Sequence, residues 1–219
     1  MRELEILKRL QHPNILKFMG TTRSFGPPVA LVAPWIFNGT LTSFLYKKNE
    51  TLTLHDCLLL VRTLRNFLDC ALELINNVLI GSDRTAYLAD FGLSETLTRS
   101  PSMTYLAKMS RRPGAARWAA PEWLSVEESA SEISTQSDIY CFGSIMLQVL
   151  TGNVPWLRLN NEFVIWLKVV EGEMHPRPDD CVTDQQWNFM TRCWSKTPIE
   201  RSSAQEALQF VDSELALYD

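Results

Sequence analysis

Apolar positions change period several times along the chain, and each change predicts an element. Leu4, Leu7 and Leu10 recur every three residues, and Ile6 reaches Leu10 at i+4, so residues 2–11 read as an amphipathic helix. Pro13 disfavours helical backbone at His12 and ends it. The runs ILKFMG (15–20) and VALVAPW (29–35) predict two strands, joined by the Gly- and Pro-bearing loop TTRSFGPP. Beyond Asn38 and Gly39, the spacing predicts helices over 40–47 and 54–68, the second capped by Thr53. NVLIG (77–81) and TAYLA (85–89) read as short strands around a turn at Ser82, Asp83 and Arg84. Residues 90–121 are rich in Ser, Thr, Arg and Gly and carry no period; a loop of that length in a compact domain is usually functional or mobile. From 122 onward the pattern is helical, over 122–129, 137–151, 162–171, 184–194 and 203–216. TGNVPW, HPRPDD and SKTPIERS break it. The predicted class is α+β, with few strands and a helical second half, and no internal repeat is present.

Composition narrows the function classes. With 219 residues and 46% apolar content, the chain can bury a core as one domain or a small two-part domain. A net charge of −4 with scattered Lys and Arg argues against a nucleic-acid partner. The nearest basic cluster, KRLQHPNILK, reads as a solvated helix face. Cys57, Cys70, Cys141, Cys181 and Cys193 are odd in number, widely spaced and free of any CxxC, which fits thiols in a reducing, cytoplasmic or otherwise intracellular compartment. The three histidines lie far apart, so no zinc pattern arises. No apolar run is long enough for a membrane span, and the first residues lack a signal-peptide core.

The chemistry-bearing signals fall in one order. Asn77 and Asp90 flank the two short strands, and Asp90 opens Asp-Phe-Gly. Ala-Pro-Glu follows at 120–122, inside GAARWAAPEW, then SDIYCFGSIMLQVLTGNVPW at 137–156 and CWSKTPIERSS at 193–203. Together these resemble the back two-thirds of a eukaryotic protein kinase domain, nearest the tyrosine-kinase-like and tyrosine kinase branch. The resemblance implies ATP-dependent phosphorylation of Ser, Thr or Tyr on a protein substrate. It implies a partial N-lobe at 1–33, a hinge at 34–38, and a C-lobe at 39–219 whose activation segment is 90–122. Asn77 and Asp90 would offer oxygen ligands to the Mg2+ of Mg-ATP. Ala33 would be a small gatekeeper, the Pro34 carbonyl and the Ile36 amide and carbonyl would face adenine, and Leu79 would lie under the ring. Glu3 takes the place of the helix glutamate that pairs with the family's strand lysine. Glu122 and Arg201 resemble the family's structural ion pair, and Asp138 the carboxylate that accepts catalytic-loop amides. Leu7, Phe18 and Phe91 resemble three of the stacked residues that link the lobes. Read singly, Leu79, Leu7, Phe18 and Phe91 are core residues, Glu3 is a solvent-facing charge, Asp90 a turn residue, Asn77 a strand-start cap, and Asp138 a helix cap with Ser137.

The departures from the pattern are chemical. The sequence opens at the helix of Glu3, with no GxGxxG and no VAxK anywhere. The catalytic aspartate position, five residues before Asn77, is Leu72; the following lysine falls at Leu74 and the histidine at Cys70. Ala115 stands where this branch commonly has threonine. Leucine has no oxygen to orient an acceptor hydroxyl, so the expectation is a kinase-like chain with impaired catalysis and no catalytic base. The alternatives are a pseudokinase-type protein-binding module or a truncated gene product.

Overall fold

A computed structural model describes residues 12–24, 30–48, 51–64, 78–89, 114–124, 134–179 and 181–218. Among these are two small antiparallel sheets and seven α-helices. Strands β1 (Gly20–Thr22) and β2 (Ala30–Val32) pair with Thr21 opposite Leu31. Helices α1 (Leu41–Lys48) and α2 (Leu54–Leu64) follow. Strands β3 (Val78–Ile80) and β4 (Ala86–Leu88) pair with Leu79 opposite Tyr87. The second half holds α3 (Pro121–Leu124), α4 (Thr135–Thr151), α5 (Glu162–Glu171), α6 (Asp184–Cys193) and α7 (Ala204–Leu215). The α+β class expected from the sequence is the one observed.

The first strand is a correction. The apolar run 15–20 does not form one strand: its start runs beside β4 and its end feeds β1. Ile15 bridges Leu88 in parallel, the Leu16 amide donates to the Leu88 carbonyl at 2.8 Å, and the Leu88 amide donates to the Asn14 carbonyl at 2.8 Å. Pairing with β2 begins with the Met19 amide, 2.9 Å from the Val32 carbonyl. One apolar run thus serves two edges, which periodicity cannot reveal. The expected helix at 2–11, residues 65–68 of the second helix and 125–129 of the third lie outside the described residues.

Helix boundaries follow local chemistry. The Thr53 hydroxyl accepts from the Asp56 amide at 3.1 Å, and the Asp56 carboxylate accepts from the Thr53 amide at 3.0 Å. That reciprocal pair starts α2 as expected. Asp56 also pairs with Arg84, which ties the start of α2 to the β3–β4 turn. Thr183 with Gln186 and Ser203 with Glu206 form equivalent boxes on α6 and α7. Gly172 ends α5 at φ 82°, a left-handed conformation that disfavours a side chain.

Helix α4 is the spine. Every residue from Ser137 to Leu150 is buried, because the segment is apolar nearly all round and is enclosed on all sides. α2 and α6 pack directly on it, and α7 packs on α2. Phe142 of α4 meets Phe189 of α6 edge-on at 6.5 Å, and Phe189 stacks on Phe210 of α7 at 4.1 Å. A buried histidine borders this layer. The His175 ring sits between Trp156 (4.7 Å) and Trp194 (4.4 Å). Burial there pushes its pKa down from 6.5 to about 3.

A folded-state pKa below the unfolded value means the unfolded chain binds the extra proton. Stability from neutral His175 is therefore complete above pH 6.5 and is lost as pH falls towards 3, at roughly 1 kcal/mol per pH unit. Urea titrations of the parent and His175→Phe at stepped pH values measure this. The expected result is a parent that weakens relative to the variant on acidification; a constant difference between the two contradicts it.

Candidate functional site

A buried polar constellation lies where α3, α4 and the residue after the 3₁₀ turn Pro198–Glu200 meet. Pro121 opens α3, a position that needs no amide, and sets Glu122 in its first turn. The Arg201 side chain has no exposed surface and that of Glu122 is 11% exposed. They meet as a fork: Nη1 lies 2.6 Å from Oε1 and Nη2 lies 2.8 Å from Oε2. Nη1 also donates to the Gln136 carbonyl at 2.8 Å, and Nε donates to the Ser195 carbonyl at 2.9 Å. The Ser137 hydroxyl donates to Glu122 Oε1 at 2.7 Å. Burial alone would raise the Glu122 carboxyl, but its hydrogen bonds from Arg201 and Ser137 outweigh burial and hold it below the usual carboxylate value. This contribution is present above pH 4.5 and fades as acid protonates the carboxylate.

The same corner corrects the reading of Ser137 and Asp138 as a helix cap. α4 starts at Thr135, with Ser134 as its N-cap, so both residues lie inside the first turn. The Ser137 hydroxyl serves Glu122 instead, and Asp138 is buried at 4% exposure.

The expected adenine-facing residues occupy the chain after β2. Ala33 and Pro34 are exposed, Ile36 is half-buried, and the flanking Trp35 and Phe37 are exposed. The Ile36 carbonyl accepts from the Gly39 amide at 3.3 Å, closing a turn. Gly39 sits at φ 71°, where a side chain would strain the backbone. The turn delivers Thr40 to an antiparallel bridge with Leu79, and the Asn38 side-chain amide donates to the Gly81 carbonyl at 2.7 Å. Val78 and Ile80 are buried, whereas Leu79, on the opposite face of β3, is half-buried. Residues 38–40 and β3 are therefore held side by side. Phe18 is half-buried. Glu3, Leu7, Leu72, Asn77, Asp90 and Phe91 lie outside the described residues, so the expected metal ligands have no geometry here.

A family model described as protein tyrosine and serine/threonine kinase matches residues 1–69 and 71–211. The chain belongs to that kinase family. Ephrin type-A receptor 5 of Gallus gallus is 28% identical over 219 residues, covering 96% of this chain and 21% of that protein. Its Homo sapiens counterpart is 28% identical, covering 96% and 20%. Ephrin type-A receptor 3 of Danio rerio is 27% identical, covering 97% and 22%. These relatives place the kinase domain on the tyrosine kinase branch. The chain spans about a fifth of their length.

Within this kinase domain, three polar anchors escaped the sequence reading. Arg117, closing the 3₁₀ turn Ala115–Arg117, donates to the carbonyls of Pro155 (2.8 Å), Trp156 (3.0 Å) and Leu159 (2.7 Å). The buried Trp118 indole donates to Gln148 of α4 at 3.0 Å, and Gln148 donates to Thr42 of α1 at 3.0 Å. Asn14 donates to the Ala86 carbonyl at 3.1 Å, which fixes the stretch after Pro13 onto β4. One signal was available: a large indole in a run of alanines has to place its N–H on a partner once buried. The partners lie 30 to 106 positions away, and no local pattern encodes them.

No described group of three or more His, Cys, Asp or Glu residues could hold a metal ion, and no described helix is long and apolar enough to cross a membrane.

The ion pair yields a sharp expectation. Arg201→Met leaves Glu122 buried without its counter-charge and should cost about 3–5 kcal/mol. Glu122→Met should cost a similar amount by stranding Arg201. The double variant should recover much of the loss, since no buried charge remains. Equilibrium unfolding of the three variants checks this, and strictly additive losses contradict it.

Proposed function

We propose that this kinase-family domain keeps the scaffold of phosphoryl transfer without the means to complete it. The observation that carries the reading is Leu72. It stands at the position of the aspartate that orients the acceptor hydroxyl, five residues before Asn77. Leucine offers neither charge nor proton acceptor. The family match also divides at residue 70, beside that position. Losing such a group removes several kcal/mol of transition-state stabilisation, several orders of magnitude in rate.

The described residues suit a nucleotide base. Leu79 presents an apolar half-buried face beside the turn that follows the Pro34 and Ile36 main chain. Asn77 and Asp90 would hold Mg2+ through their amide and carboxylate oxygens, and Mg-ATP when bound would supply the γ-phosphoryl group and the metal charge that shields it. In this reading residues 1–33 form the N-lobe portion, 34–38 the hinge and 39–219 the C-lobe, and the natural partner is a protein in the cytoplasm. Cys57 and Cys193 are buried free thiols raised by burial to about 11 and about 12, consistent with inert thiols in a reducing compartment.

A second reading, a protein-binding module, is favoured by the helical body from α3 to α7, whose caps and ion pair need no nucleotide. Capture of a cellular partner equally by the parent and Asp90→Ala supports it, and loss of capture in Asp90→Ala speaks for a nucleotide-dependent role.

The test is transfer of labelled phosphate from ATP to mixed Tyr-, Ser- and Thr-containing peptides. The expected result is incorporation no higher than that of Asp90→Ala. Turnover of about 1–100 per second, the ordinary kinase range, would overturn the proposal.

A further inference from the structure

Two polar atoms behind the Arg117 grip have no hydrogen-bond partner among the described residues: His175 Nδ1 and Trp156 Nε1. Both belong to rings more than nine-tenths buried, at 3% and 6% exposure, and the two rings are in contact at 4.7 Å. Orphaned buried polar atoms are rare, and an internal water is the usual explanation.

The surrounding bonds assign their chemistry. The Ser144 hydroxyl has a single proton, and it donates to the Tyr140 carbonyl one turn back in α4, at 3.3 Å. Its lone pairs then face two nitrogens, Trp194 Nε1 at 3.1 Å and His175 Nε2 at 3.4 Å. Trp194 Nε1 is a donor by constitution. In the arrangement that keeps the Ser144 proton on the Tyr140 carbonyl, His175 Nε2 donates as well. The neutral imidazole that burial enforces therefore carries its proton on Nε2 and a bare lone pair on Nδ1. Trp156 Nε1 is a donor. The two orphans are thus one acceptor and one donor, on touching rings.

We infer that His175 and Trp156 form a binding site for one internal water, which accepts from Trp156 Nε1 and donates to His175 Nδ1. The site has a mechanical consequence. Trp156 adopts φ 59°, a left-handed backbone that a bulky residue rarely takes. Arg117 holds its carbonyl, and the water holds its indole. Between them they fix the 152–160 turn, and with it the segment that leads into Glu122.

The test is nitrogen-detected NMR on the full chain, isotopically labelled, at neutral pH. The expected result is a His175 ring with a pyrrole-type Nε2 and a pyridine-type Nδ1. A cross-relaxation peak should also join the Trp156 indole proton to a long-lived water. Trp156→Phe identifies that indole signal by its loss. If the variant fails to fold, a high-resolution crystal map of the parent gives the same answer, as a density peak within hydrogen-bonding distance of both nitrogens. A proton on Nδ1, an indole with no water contact, or a dry gap in the map would overturn the inference.

Discussion

A guanidinium with no exposed surface is the constraint around which this structure is organised. Arg201 has surrendered its hydration, and only a complete set of acceptors offsets that. Glu122 supplies two oxygens, and the carbonyls of Gln136 and Ser195 supply the others. These groups come from α3, the first turn of α4 and the start of the α6–α7 connection. The pair therefore acts less as a source of net stability than as a demand for register. It permits one relative placement of α3, the spine helix and the α6–α7 connection, and misplacing any of them strands a buried charge.

The same logic recurs with neutral groups. Trp118, Gln148 and Thr42 form a relay from the 114–120 segment through α4 to α1. Arg117 collects three carbonyls from the 155–159 turn. Each connection joins elements that the hydrophobic effect alone would leave free to slide. Apolar packing around α4 supplies the bulk of the driving force, since its burial from Ser137 to Leu150 is continuous. The polar contacts select which packing is adopted. Together they hold the 114–120 segment against the helical body.

How much of this was legible beforehand depends on range. Helices α5, α6 and α7 and the two short strands β3 and β4 were readable within a residue or two, because their caps and turn residues are local: Asn161, Thr183, Ser203 and the Gly81–Thr85 turn. The run 15–20 was misread because its two ends pair with different strands, and a period of two does not state a partner. Ser137 shows the same limit: a serine near a helix start reads locally as a cap, and only the fold shows the distant carboxylate that takes its hydroxyl. Glu122 and Arg201 were legible as a pair only through the family pattern, since 79 positions separate them. Arg117, Gln148, Asn14 and His175 carried no family label in that reading, and their roles come from contacts across the fold.

The physical account of function divides scaffold from chemistry. In the proposed function the contacts that shape the described helices and the 36–39 turn are made, whereas the position that the resemblance gives to orienting the acceptor hydroxyl is an aliphatic residue, Leu72. A domain in this condition should be able to hold a nucleotide without consuming it. Phosphorus NMR of Mg-ATP mixed with an equal amount of the chain tests that division most directly. The account predicts ATP resonances perturbed by the protein and unchanged in area over hours, with no ADP and no phosphoprotein signal. Growth of ADP together with a phosphoprotein resonance, abolished in Asp90→Ala, would contradict it.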